Sequence, residues 1–244
     1  MKKIITATVI ISFCSAMVLL YARINNSGDD RFVSYSADSH SQDIELYWKD
    51  SSGNNFKNIS NLQSWLALHH KELLFAMNGG MYKRDHSPQG LYIENGKELS
   101  PVDSSSGGGN FYMKPNGVFY ITRSNDAGIC LTENIYKQKE IKYATQSGPM
   151  LVIDGEIHPA FKPGSQNINI RNGVGILPGN KILFAMSKKE INFYDFAAYF
   201  KSMGCRQALY LDGFVSRTYL PEKNWVQTDG DFGVIIAVSK QVNK

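Results

Sequence analysis

Four short clusters carry most of the polar chemistry of this chain, and each lies against an apolar run of strand length. They are Asn78-Gly79-Gly80, Ser147-Gly148-Pro149, Arg171-Asn172-Gly173, and Asp212-Gly213 with Ser216. Glycines beside polar side chains let a ligand approach backbone N–H groups, which suits an anionic oxygen. Any one of these clusters alone reads as an ordinary turn. Four together, each with a different functional group, point to one ligand site. Asp212 stands at its centre, because residues 208–211 form an apolar strand that ends abruptly at this acid. Strand ends are where a rigid scaffold commonly holds reactive groups. The four clusters are therefore expected to converge on one cleft.

The elements that must position them follow from periodicity. Phe193, Phe196, Ala197 and Phe200 recur at helical spacing, and Gly204 follows as a stop. This predicts a helix leading into the strand that delivers Asp212. Leu62, Trp65, Leu66 and His69 predict an earlier helix capped by Ser60 or Asn61. His69 and His70 diverge by roughly 100° on such a helix, so they are surface residues and not a metal pair. Residues 31–35 and 43–48 read as strands, as do residues 73–77 leading into Asn78. The apolar run 234–238 reads as a central strand. Asn95-Gly96, Asn116-Gly117, Asp154-Gly155 and Gly179-Asn180 each carry a hairpin signal, which assigns Asp154 to a turn. Residues 104–109 read as a loop, and Glu94, just before a turn, as structural. With no repeat and no linker after residue 30, the reading is one α+β domain over residues 31–244. It has a mixed or largely antiparallel sheet rich in hairpins and a few packed helices.

Composition bounds the function. The chain is 43% hydrophobic and 20% charged, which is ordinary for a globular core. Two of its four net positive charges are Lys2 and Lys3, and no basic run suits a phosphate backbone, so nucleic acid is excluded as a partner. Those lysines precede an uncharged stretch over residues 4–22. This pattern is that of an export signal, with small residues at Ala16 and Ala22, or of a membrane anchor. A polar linker follows over residues 23–30. Phe13 before Cys14 argues against a lipoprotein signal. The body is expected to be exported, periplasmic or anchored at the outer face of the inner membrane, with membrane contact only through the N-terminal segment. Cys130 and Cys205 can form one disulfide there or stay as two buried thiols, and their spacing suits no zinc motif. No cofactor is called for. Asp212, Asp229 and Asp231 could gather oxygens for calcium or magnesium, yet no ligand loop of known spacing is present. His86 lies in a charged loop, at the surface or over a pocket.

From Phe75 to Val238 the sequence resembles the phosphodiester glycosidase domain family, in a shorter bacterial form. The resemblance rests on Asn78-Gly79-Gly80-Met81-Tyr82, Pro88-Gln89-Gly90-Leu91, Ser147-Gly148-Pro149-Met150-Leu151-Val152, Arg171 with Gly173 to Ile176, and Ala208 to Gly213 with Ser216. Phe214 and Val215 stand where the family has a glycine-rich run, and Asp231-Phe232-Gly233 where an arginine is often seen. The resemblance implies cleavage of a sugar–phosphate bond in a sugar phosphodiester, such as an envelope glycan. Phosphate is already a good leaving group, so the site must chiefly steady a cationic sugar and the departing charge. Asp212 would be nucleophile, base or electrostatic stabiliser, and Arg171 a bidentate phosphate fork. Asn78 completes the catalytic set. Gly79, Gly80, Ser147, Gly148, Gly213 and Ser216 would bind the substrate, while Arg217 is not pointed to by the family. The competing reading is a non-catalytic envelope protein that binds a glycan or phosphorylated polymer.

Overall fold

The structure is a computed structural model describing residues 29–242; the expected signal or anchor over residues 1–22 lies outside the described residues. The chain divides between Phe32 and Val33. Before the division, Arg31 closes a fork on the Asp29 carboxylate. From Phe32 on, the described residues build three sheets. The first, in spatial order, is β1 (Phe32–Ala37), β12 (Ile182–Ser187), β11 (Asn172–Ile176), β13 (Gln207–Asp212), β9 (Met150–Ile153) and β10 (Glu156–Ile157). The second is β15 (Trp225–Val226), β14 (Thr218–Leu220), β3 (Lys71–Asn78), β16 (Ile235–Gln241) and β2 (Asp43–Tyr47). The third is β5 (Lys97–Ser100), β4 (Tyr92–Glu94), β8 (Ile141–Ser147), β6 (Gly117–Thr122) and β7 (Ala127–Leu131). The sheets are antiparallel and the helices few, so the class is α+β.

The central core lies between the three sheets. Phe75, Met77, Ile236 and Val238 of the second sheet meet Val174, Phe184, Leu209 and Leu211 of the first, and Phe119, Ile121 and Tyr143 of the third. The run 234–238 at the start of β16 is apolar throughout because both its faces are covered, whereas Lys240 and Gln241 at its end are exposed. Ile236 and Val238 face this core, while Ile235 and Ala237 face α1 (Ile59–Leu68) through Ile59, Leu62 and Leu66. The second helix, α2 (Phe193–Ser202), packs on the first sheet. There Gly173 and Gly175 of β11 leave room for it: a Cβ at Gly175 would fall 2.6 Å from Cys205 Sγ and 2.7 Å from Phe200 Cδ1.

The local signals mostly hold, with two corrections. α2 begins where its spacing predicts and is capped by the Asn192 side chain, which accepts from Asp195 N–H; Gly204 follows it at φ +88°. The cap of α1 is Asn58, not Ser60 or Asn61, because Asn58 Oδ1 accepts from Asn61 N–H at 2.8 Å. Asn95-Gly96, Asp154-Gly155 and Gly179-Asn180 each join two antiparallel neighbours, and all six residues have positive φ. Asn116-Gly117 is no hairpin. It opens β6, where a Cβ on Gly117 would meet Met150 Sδ at 2.4 Å, so close packing selects this glycine. Of the two alternatives for Cys130 and Cys205, the thiols are free. No helix among the described residues is long and apolar enough to cross a membrane.

Candidate functional site

Three of the four clusters arrive at one corner because each ends a strand of a different sheet, and the fourth reaches it through Asn172. Asn78 is the last residue of β3 in the second sheet, Ser147 the last of β8 in the third, and Asp212 the last of β13 in the first. Asn172, the first residue of β11, pairs with Asp212 across the ladder. Hydrogen bonds tie these ends together. Asn172 Nδ2 donates to Asn78 O at 2.9 Å and to Asn78 Oδ1 at 2.8 Å, bridging the first and second sheets. Asp212 N–H donates to Asn172 Oδ1 at 2.8 Å. Ser147 Oγ donates to Leu211 O at 2.8 Å, bridging the third sheet to the first.

Asp212 is the half-buried carboxylate at this junction. Its pKa is pushed up to about 6 by burial, against the lowering pull of the Gly213 N–H and the Asn78 side chain. Gly213 N–H donates to Asp212 Oδ1 at 2.6 Å. Asn78 is 1% exposed, and its Nδ2, turned toward Asp212, closes no hydrogen bond. Tyr82, in the loop after β3, feels the same carboxylate: burial and then Asp212 raise its pKa to about 12. Its hydroxyl donates to Asp231 O.

Arg171 does not present a phosphate fork in this structure. It is fully buried, with Nε on Ile191 O at 2.8 Å, Nη2 on Asn167 O and Oδ1 at 2.8 and 3.0 Å, and Nη1 on Tyr210 Oη at 3.3 Å. Its guanidinium lies 3.6 Å from the Phe193 ring centre, and burial lowers its pKa. Arg171 therefore stands behind Tyr210, which lies two residues before Asp212 on β13. A Cβ on Gly213 would lie 2.0 Å from the Tyr210 hydroxyl, so that glycine is required for the close approach.

The other predicted contacts are engaged within the protein. Ser216 Oγ donates to Gly213 O at 3.0 Å and Asp212 O at 3.2 Å, fixing the loop after β13. Gly79 N–H is taken by Val234 O at 2.7 Å, so it is not available to an anion. A Cβ at Gly80 would meet Thr145 Oγ1 at 2.4 Å, and one at Gly148 would meet Asn116 Cβ at 2.7 Å. These glycines allow strands to pack at the junction. Arg217 has the more open guanidinium. Its backbone N–H donates to Asn78 Oδ1 at 2.9 Å, while its Nε pairs with the exposed Asp229 at 2.8 Å. Its position beside Ser216 was the available signal. His86 Nε2 pairs with Asp231 Oδ1 at 2.6 Å and its ring stacks on Tyr82. Asp229 and Asp231 thus each have a basic partner instead of joining Asp212. No group of three His, Cys, Asp or Glu side chains suited to a metal occurs among the described residues. A cavity of about 610 Å³ lined by Val102, Lys114, Asn116, Leu131 and Tyr136 lies near Gly148; Asp212 and Asn78 do not line it.

Comparison with known proteins matches this frame. The chain is 37% identical over 195 residues to the uncharacterized protein YigE of Escherichia coli K12, covering 76% of this chain and 73% of that protein. Its fold is similar to the zebrafish N-acetylglucosamine-1-phosphodiester alpha-N-acetylglucosaminidase catalytic domain auto-inhibited by its pro-peptide. The TM-score is 0.51 and the identity 17%, over 85% of this chain and 88% of that one. A Synechocystis protein aligns at TM-score 0.52 and 12% identity, over 85% of this chain and 59% of its own. At such identities these structures show the fold alone. The family model for phosphodiester glycosidases matches residues 71–238, from the first residue of β3 into β16, and the chain belongs to the phosphodiester glycosidase family.

Proposed function

We propose that this protein is an exported hydrolase that cleaves the bond between an anomeric carbon and a phosphate oxygen in a sugar phosphodiester, such as an envelope glycan. The observation that carries the reading is a half-buried Asp212 carboxylate with pKa raised to about 6, faced by a buried Asn78 N–H₂ that lowers that pKa without closing a full hydrogen bond. A carboxylate poised this way is largely ionised at neutral pH. It can steady a sugar cation as the C–O bond breaks, or form a bond to the anomeric carbon. The phosphate monoester leaves as that C–O bond breaks; water then supplies oxygen to the carbon and a proton to the medium, displacing Asp212 where it has bonded. Asn78 Nδ2 would donate to a sugar hydroxyl or phosphate oxygen. Arg217 fits the part of phosphate partner better than Arg171, because Arg171 is enclosed and Arg217 is partly exposed. Arg171 instead fixes Tyr210, and through it the wall beside Asp212.

The test incubates the purified protein with sugar phosphodiesters and nucleotide sugars while free sugar is measured, with Asp212→Asn as control. Release by the wild type and not by the folded variant supports the reading. Tight binding of a glycan or phosphorylated polymer with no release by the wild type would overturn it in favour of a binding protein.

A further inference from the structure

We propose that Asn172 is the positioning residue that presents the Asn78 side-chain N–H₂ to Asp212 and to the ligand beside it. This rests on the reading of Asp212 as the site's carboxylate and gives a role to a residue that lies in the Arg171-Asn172-Gly173 cluster but to which the sequence assigned none.

Two backbone donors, whose identity is fixed by the chain, set the orientation of both amides. Arg217 N–H points at one terminal atom of Asn78, so that atom must be the amide oxygen. Asp212 N–H points at one terminal atom of Asn172, which must be oxygen for the same reason. The Asn172 nitrogen is then directed at Asn78, where it donates to both the backbone and the side-chain oxygen. Turning the Asn78 amide over would set its N–H₂ against two donors, Arg217 N–H and Asn172 Nδ2. Turning Asn172 over would set its N–H₂ against Asp212 N–H and its oxygen against the oxygens of Asn78. Both amides are fully enclosed, at 0% and 1% exposure, so neither has solvent to relieve such a clash. The Asn78 nitrogen is left facing Asp212, near enough to lower its pKa but outside full hydrogen-bond geometry. A donor held this way needs no reorganisation when a ligand oxygen or the Asp212 carboxylate comes into range.

Asn172 is thus anchored on the main chain of the residue whose side chain it serves. The titratable and charged groups around Asp212 are Tyr82 from the loop after β3, Tyr210 on β13 with Arg171 behind it, and Arg217 beyond Ser216. Among the described residues, the Asn172 side chain hydrogen-bonds to Asn78 and to the Asp212 N–H and to none of those side chains.

The test reads Asp212 directly, without requiring turnover. The side-chain carboxyl carbon of Asp212 in the full chain, identified by its loss in Asp212→Asn, is followed by NMR as pH is varied. Wild type is compared with Asn172→Ala, Asn78→Ala and the double variant. Asn172→Ala and Asn78→Ala are each expected to raise the Asp212 midpoint, and the double variant no further than Asn78→Ala alone. An unchanged midpoint in Asn172→Ala, or shifts that add in the double variant, would overturn the proposal. A second measurement uses only the wild type, in case Asn172→Ala does not fold. The Asn78 Nδ2 resonance is expected to move with the Asp212 midpoint, and a pH-independent signal would equally overturn the proposal. Absence of hydrolysis on every phosphodiester tested would refute the proposed activity while leaving these two outcomes to be read. Where hydrolysis is found, Asn172→Ala is expected to lower kcat more than it raises KM.

Discussion

At the scale of single residues, Asp212 couples activity to stability with opposite signs. Burial raises its folded pKa from 3.8 to about 6, so the folded state binds more protons than the unfolded state between those values. The stability it contributes is therefore fully present below about pH 4 and is lost as pH rises through about 6. Asp212→Asn removes a half-buried charge and is expected to stabilise the fold by roughly 1–2 kcal/mol above pH 6, discounted for partial exposure, with no gain near pH 4. The same variant should lower turnover by about 10²-fold or more, the usual loss for a group acting on transition-state charge. Melting curves at pH 4 and pH 7.5 beside a turnover assay check both; a destabilised variant with normal turnover would mark Asp212 as a turn residue. Wild-type activity should rise with pH through about 6, as the carboxylate ionises. Arg217→Ala should raise KM about tenfold on a phosphodiester with less effect on kcat, since it removes a phosphate contact made before and during reaction. Arg171→Ala should lower the melting temperature, because it deletes a buried cation engaged by four protein acceptors.

At the scale of elements, the distance between α2 and the first sheet is set by the glycines of β11. Gly175→Ala would place a methyl group 2.6 Å from Cys205 Sγ and 2.7 Å from Phe200 Cδ1, on groups that are themselves buried. Overpacking of this kind costs about 1–3 kcal/mol. We expect a lower melting temperature for Gly175→Ala, measured by calorimetry. A variant as stable as wild type would show that α2 moves outward freely.

At the scale of the whole molecule, the site exists only where three sheets meet. Ser147 is a hinge pin of that meeting, since its hydroxyl carries the side-chain hydrogen bond from β8 to the end of β13. Ser147→Ala leaves the buried Leu211 carbonyl short of a donor and should cost about 1–2 kcal/mol. Because Leu211 precedes Asp212, turnover should fall further than the stability loss explains; equal activity per folded molecule would confine Ser147 to a purely local role. Export is also a whole-chain property. A reporter enzyme active only outside the cytoplasm, fused after residue 30, is expected to be active, and to lose activity when residues 1–22 are deleted. Activity that survives the deletion would remove that segment as the export signal.

What the sequence determined by itself is what depends on neighbours along the chain. The period of Phe193, Phe196, Ala197 and Phe200 was enough for α2, and the dipeptides Asn95-Gly96 and Asp154-Gly155 for their hairpins, because φ > 0 at consecutive residues admits few residue types. The abrupt end of residues 208–211 at Asp212 was enough to place an acid at a strand terminus. What only tertiary structure decided is which partners those groups meet. Asn116-Gly117 carries the same turn signal, but packing against Met150 uses its glycine to open β6. Arg171 reads as a phosphate fork until Ile191, Asn167 and Tyr210 are brought around it, and Arg217 reads as incidental until its backbone N–H is found on Asn78. Asn172 sits in the Arg171-Asn172-Gly173 cluster, but nothing along the chain gives it a role. Its role arises from hydrogen bonds to residues 40 and 94 positions away along the chain. Such contacts follow from how the sheets stack, which local periodicity does not encode.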